Sequence, residues 1–234
     1  MTISKYCRVA VFDHMIVSLD LKRSRYFLYN HDCATAFADH YLDHRKPRDS
    51  STLEPMILDR IITREAPHQS LEQRFVLDHR AMRFEAFDAG KWESRTLIRH
   101  QTSKFHFRPF FRIITDVLLL KAFGFTALSA LERVRPRTSS TAAPTAVELT
   151  GSVAQYLSAA IWSPFRITCL PFSFSLTTHL RQSNIPAQLV IGVRPVPFVA
   201  HAWVEIDGHV YGDDPDLKKS YGEIYRTPRT DGTY

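Results

Sequence analysis

Apolar and polar positions alternate at the start of the chain, and the alternation predicts three β-strands: Tyr6–Phe12, Met15–Leu21 and Arg25–Tyr29. Asp13-His14 and Lys22–Ser24 are the natural turns between them. A helical pattern follows from Asp32, a residue able to cap it, to Tyr41. The polar stretch HRKPRDSS at 44–51 reads as a loop, and Leu53–Thr63 as a further helix. Strands followed by helices in so short a span describe a small α+β module. Residues 64–106 carry only a weak pattern, in which Val76, Met82, Phe84 and Phe87 mark no definite element. From Phe110 to Arg133 the spacing is helical again, with Ile113, Val117, Leu120, Gly124 and Leu128 near one face. RPRTSSTAAPTA at 135–146 is a linker or loop by composition. A helix is then expected from Ala146 to Ile161 and another from Leu170 to Gln182, directly behind Cys169. Pro171 fits the first turn of that second helix, and Asn184 suits a left-handed cap at its end. Two strands, Ala187–Arg194 and Ala200–Ile206, follow, and Asp207-Gly208 is a two-residue hairpin signal leading into His209–Tyr211.

Composition narrows the class. Of the 234 residues, 44% are hydrophobic and 23% charged, as in an ordinary globular chain with enough length for one large or two small cores. The net charge of +6 is modest for this size, and no basic recognition-helix face stands out, so nucleic acid is not expected as a partner. The three cysteines, Cys7, Cys33 and Cys169, show no CxxC spacing and fit neither a disulfide framework nor a cysteine-rich zinc site; a reducing cytoplasm suits them. His100, His106 and His209 have no spacing that demands a metal. The opening MTISKYCRVAVFDHM lacks the layout of a signal peptide. The apolar run Phe110–Leu131 is interrupted by Arg112, Asp116 and Lys121, so a core helix is expected there and no membrane span. There is no internal repeat, P-loop or glycine-rich dinucleotide fingerprint.

The chemistry gathers in the last ninety residues. A thiol at a helix N-terminus lies near positive partial charge and unsatisfied backbone N–H groups, which favour a thiolate and can hold an oxyanion. A histidine beside it keeps the thiol ionised and later protonates a leaving amine, and a carboxylate orients the histidine. Cys169, His201 in AHAWVE and Asp213 or Asp214 supply these types in chain order. Taken singly each has a plainer reading: a buried inert cysteine, a structural histidine and a strand-ending aspartate. Cys7 and Cys33 fall in that plainer class, because no histidine-bearing strand is arranged after either.

The tract CLPFSFSLTTHLRQSNIPAQLVIGVRPVPFVAHAWVEIDGHVYGDDP resembles the transglutaminase-like peptidase domain of lasso-peptide biosynthesis B proteins. The resemblance rests on Cys169-Leu170 with Ser173, Ile185-Pro186-Ala187, Ile191-Gly192-Val193, His201–Glu205 and Asp213. It is specific over about 160–216 and looser before it; Asn184, Phe172 and Gly212 depart from the residues frequent in the family. It implies a papain/transglutaminase-like cysteine peptidase with Cys169 as nucleophile, His201 as base and then acid, and Asp213 as orienter. The reaction it implies is removal of the leader from a lasso-peptide precursor. It also implies an N-terminal PqqD-like, winged-helix-type recognition module, here 1–80, joined through 81–104 to a peptidase domain over 105–234. In such modules the leader adds as a strand to a sheet edge, which by analogy is Arg25, Tyr26, Phe27, Leu28 and Tyr29. The expected partners are the precursor peptide and an asparagine-synthetase-like lasso cyclase. Maturation in the family needs ATP, which is assigned to the cyclase, so no cofactor is expected on this chain.

Two other classes stay open at this point. One is a transglutaminase- or amidase-type acyl transferase on the same scaffold; the other is a non-catalytic leader-binding adaptor. The aspartate is also open on geometry alone, since an Asp207-Gly208 turn in regular register places Asp214 opposite His201. A strand irregularity at Gly212 is needed to bring Asp213 onto the ring, as the resemblance requires.

Overall fold

The computed structural model describes residues 2–41, 50–63, 75–77, 105–134 and 146–229. The expected connecting region 81–104, the apolar positions Met82, Phe84 and Phe87, and the linker at 135–145 lie outside the described residues. The chain divides into two compact units. One comprises Met1–Glu85 with Gly192–Ala200 and Lys219–Tyr225; the other comprises Ala86–Ile191 with His201–Lys218 and Arg226–Tyr234.

The first unit is built on the expected hairpins. Strands β2 (Cys7–Phe12), β3 (Met15–Asp20) and β4 (Arg25–Tyr29) pair antiparallel, with Phe12 opposite Met15 across the Asp13-His14 turn and Asp20 opposite Arg25. The buried Asp20 carboxylate fixes the second turn by accepting the Lys22 and Arg23 backbone N–H groups at 2.8 and 2.9 Å. Two elements escape the sequence pattern. A two-residue β1 (Thr2–Ile3) pairs with β5 (Ile62–Thr63), and β6 (Phe75–Leu77) joins β2 in parallel, giving the sheet order β4-β3-β2-β6. Helix α1 spans His31–Tyr41 and is capped by Asn30 rather than Asp32, the Cys33 N–H donating to Asn30 Oδ1 at 3.2 Å. Phe37, Cys33, Ile16, Val9, Leu53 and Met56 are among its buried core residues.

The helix expected over Leu53–Thr63 is much shorter. A 3₁₀ turn at Ser50–Leu53 leads into α2 (Glu54–Leu58), with Pro55 in its first turn. Arg60 then takes a left-handed φ of 60°, Ile61 N–H bonds back to Met56 at 2.9 Å, and the chain enters β5. The β-branched run Ile61-Ile62-Thr63 belongs to that strand, and its pairing with Thr2–Ile3, distant in sequence, outweighs the local helical spacing.

In the second unit α3 (Phe107–Phe123) continues as a 3₁₀ segment, Gly124–Arg133, with Gly124 in left-handed φ at the change. The run Phe107–Leu131 is long and apolar enough, by length and composition, to cross a membrane. Its Ile113, Val117, Leu120, Leu128 and Leu131 are nevertheless buried within the protein. Asp116, which interrupts the apolar run in the sequence, is also buried and is bonded by Arg112 Nε at 2.8 Å and Ser175 Oγ at 2.7 Å. Burial raises its carboxyl above the ordinary value although both bonds oppose that. Helices α4 (Ala146–Trp162) and α5 (Cys169–Gln182) follow, and Phe172, Leu176 and Leu180 of α5 share a core with Tyr156, Ala159, Val204 and Ile206. Burying each large apolar side chain contributes about 1.5–3 kcal/mol before entropy is counted. Asn184 closes α5 at φ 61°, as its composition predicts, with Asn184 and Ile185 N–H groups bonded to Arg181 and Leu180.

Strands β7 (Gln188–Arg194), β8 (Val199–Ile206), β9 (His209–Tyr211) and β10 (Gly222–Arg226) form a sheet of order β10-β7-β8-β9. A short α6 (Leu217–Ser220) precedes β10. Arg181 ties this region together from inside. It is 1% exposed, and its guanidinium donates to the carbonyls of Ala187 and Leu131 at 2.7 Å, to Thr227 Oγ1 at 2.9 Å and to the Pro228 carbonyl.

Candidate active site

Cys169 is the first residue of α5, behind Thr168 in extended conformation, and its thiol is free and partly exposed. The start of this helix is unusual in its donors. Phe172 N–H already bonds the Thr168 carbonyl at 3.3 Å and Pro171 has no N–H. The N–H groups of Cys169 and Leu170 therefore remain without an intramolecular acceptor among the described residues, beside the thiol. Two such N–H groups side by side have the geometry that an oxyanion requires.

His201 lies on β8 and is 7% exposed. Its Nε2 is 2.8 Å from Asp213 Oδ2, while Asp213 Oδ1 accepts the Asp214 N–H at 2.9 Å, so both carboxylate oxygens are oriented. Cys169 is hydrogen-bonded to the same imidazole. With Nε2 taken by Asp213, Nδ1 is the nitrogen left for the thiol. Burial works against the charged ring, yet the bonds to Asp213 and Cys169 and the charges of both outweigh it, and His201 is pushed up to about 9. The ring thus stays protonated across neutral pH, as a donor to a leaving amine must.

The aspartate question resolves just beyond the ladder. Register is regular to its end, with Ile206 opposite His209, Glu205 opposite Val210 and Val204 opposite Tyr211. Asp207 and Gly208 form the turn with positive φ of 48° and 81°. Gly212 then leaves the strand at φ 75°, and this left-handed step, rather than a bulge inside the pairing, turns Asp213 onto the ring. Asp214 is used differently, its Oδ1 accepting the Asp216 N–H at 2.8 Å.

His201, Trp203 and Glu205 share one face of β8, as the two-residue period requires. The Trp203 ring stacks on His201 at 6.2 Å between centroids and 21° between planes. Its Nε1 donates to Glu205 Oε1 at 2.8 Å, and Glu205 Oε2 meets Arg226 Nη1 at 2.9 Å and Lys218 Nζ at 3.1 Å. Burial alone would raise the Glu205 carboxyl, but these three donors hold it below its ordinary value. Nothing in the sequence alone pointed to Lys218 or Arg226; the HAWVE spacing did point to Trp203 and Glu205.

The predicted recognition strand is β4, an outermost strand of the first sheet. Arg25 and Leu28 are exposed, Tyr26 packs its ring 5.3 Å from Phe198, and Phe27 lies against the core. Tyr29 is buried and donates to Asp59 Oδ2 at 2.8 Å. Cys7 and Cys33 are buried; Cys33 Sγ donates to the Thr52 carbonyl, and burial pushes the Cys7 thiol up to about 11. No group of three or more metal-ligating side chains occurs among the described residues.

Residues 113–226 match the transglutaminase-like superfamily. The chain is also 46% identical over 60 residues to the Microcin J25-processing protein McjB of Escherichia coli, a match covering 26% of this chain and 29% of that protein. No solved structure matches. The superfamily match takes in the cysteine-headed helix and the HAWVE sheet.

Proposed function

We propose that this protein is a cysteine peptidase that removes the leader from a lasso-peptide precursor. The observation that carries the reading is the 2.8 Å His201–Asp213 contact on an imidazole that also bonds a helix-initial cysteine. In the proposed reaction Cys169 Sγ attacks the carbonyl carbon of the leader–core amide, and the Cys169 and Leu170 N–H groups receive the oxyanion. The His201 imidazolium gives its proton to the departing core amine as the C–N bond breaks. Neutral His201 then takes a proton from water, whose oxygen attacks the thioester, and the leader carboxylate leaves as Cys169 is restored. Asp213 keeps the ring in the tautomer and plane that both transfers need.

Recognition is assigned to a PqqD-like module over 1–80, in which the leader pairs with the open edge of β4, and catalysis to 105–234. The freed core passes to an asparagine-synthetase-like cyclase, the ATP-using partner, in the cytoplasm. Mass spectrometry of a precursor digest tests the chemistry. Cys169→Ala should leave the leader attached, a loss on the order of 10⁶ in rate, while Cys7→Ala and Cys33→Ala cleave as the parent does. Hydrolysis gives two peptides. A single cross-linked product would instead support acyl transfer, and cleavage by Cys169→Ala would end the proposal.

A further inference from the structure

We propose that Glu205 is a positioning residue for the catalytic pair, holding His201 through Trp203 and the Asp213 segment through Lys218. The inference rests on the peptidase reading for its kinetic readout but on contacts alone for its geometry. Glu205 is 1% exposed and has donors from three elements: Trp203 on its own strand, Lys218 on α6 and Arg226 on β10. A buried carboxylate with that many partners has one place to be, and it fixes its partners in turn.

One arm reaches the imidazole. The Trp203 N–H is held at 2.8 Å, so the indole plane is set, and that plane lies 21° from the His201 ring stacked on it. The other arm reaches the aspartate. Lys218 Nζ bonds Glu205 and also the Gly208 carbonyl at 2.6 Å, and the neighbouring Leu217 N–H bonds Asp214 at 3.3 Å. The turn that presents Asp213 is therefore pinned by β9 before it and by α6 after it. Asp213 and Cys169 are the groups that raise His201 and Glu205 is not among them, so Glu205 acts on the ring through its neighbours. A displacement of about 1 Å at either arm is enough to lose the near-attack geometry.

Glu205→Gln, Trp203→Phe and Lys218→Met test the arms separately. Each should lower kcat about tenfold or more with KM within about twofold, and move the alkaline limb of the kcat profile to lower pH. The second measurement needs no substrate: the acid-side rise of iodoacetamide alkylation at Cys169, where the imidazolium holds the thiolate, should move to higher pH. Glu205→Gln risks the fold, because it leaves Arg226 without its charge partner. Lys218, 37% exposed, and Trp203→Phe, which keeps a stacking ring, do not carry that risk to the same degree. A merely structural role would reduce the folded fraction and scale every rate down with the limb unmoved, and that result overturns the proposal, as do alkylation profiles that coincide with the parent's. A parent protein that alkylates at Cys169 but cleaves no precursor refutes the peptidase reading and leaves the alkylation test of Glu205 intact.

Discussion

Replacing Arg181 with methionine keeps the length and apolar stem of the side chain but removes every donor. The guanidinium makes hydrogen bonds to Ala187, to Leu131 and to the adjacent Thr227 and Pro228, which belong to three separate segments. Bonds from a charged donor contribute about 1.5–3 kcal/mol each, a gross loss of roughly 6–12 kcal/mol. Two terms offset this. Folding no longer strips water from a guanidinium that is 1% exposed, a saving of several kcal/mol. The methionine also gains about 2 kcal/mol of apolar burial. The net expectation is a loss of about 3–5 kcal/mol, enough to unfold a marginal domain. Equilibrium urea unfolding measures it, with the midpoint falling and the slope unchanged. Arg181→Lys, which keeps the charge but loses the planar fork, should recover only part of the loss. A destabilisation below about 1 kcal/mol for the methionine variant would refute the idea that this fork joins the three segments.

Three shorter tests follow from the site. Asp213→Asn removes one of the two partners that raise His201 and leaves Cys169 and the burial that lowers it, so the ring should lose its proton below 9; cleavage at pH 7 should fall by about 10⁴ and its alkaline limb should move to lower pH. The same shift has a stability signature: the parent's extra stability, present below the ordinary histidine value near 6.5, is lost as pH rises through about 9, and Asp213→Asn should show a weaker slope in urea titrations at pH 6 to 10. Asp214→Asn keeps the oxygen that accepts the Asp216 N–H and should slow cleavage by less than about threefold in the same kinetic assay. Gly212→Ala puts a methyl group 3.3 Å from Phe172 and Val153 at a left-handed position; it should cost about 1–2 kcal/mol in urea unfolding and slow cleavage by displacing Asp213. In fluorescence anisotropy, residues 1–80 should bind a labelled leader peptide and 105–234 should bind it far more weakly, and equal affinities would overturn the division of labour.

What the sequence made legible was local. Alternation gave the first hairpins and the β7–β9 order, and Asn184 and Asp207-Gly208 marked their turns, because each of these features is written within a few residues of itself. Strands β1, β5, β6 and β10 are pairings between distant segments of two to five residues, too short to show a period. The helix expected at Leu53–Thr63 failed for the same reason, since a partner sixty residues upstream decides the conformation of Ile62 and Thr63. The order Cys169, His201, Asp213 was readable from spacing. The burial of Asp116 and the Lys218 and Arg226 partners of Glu205 were not, because only packing reveals that a charge in the sequence has its partners waiting inside.

The outward rim of β4, proposed above to receive the leader, also has a cost. Beyond β3 its backbone has no further strand among the described residues, and Leu28 there is 44% exposed, with Arg25 three residues away. Hydrogen-bonding groups on such a rim do not distinguish a peptide from the same strand of another molecule. Concentrated stocks of the protein should therefore associate reversibly through β4, and a peptide that occupies the rim should disperse them. Arg25 bears the repulsion that limits this pairing, and neutralising it would trade solubility for stickiness before it changed a single step of the chemistry.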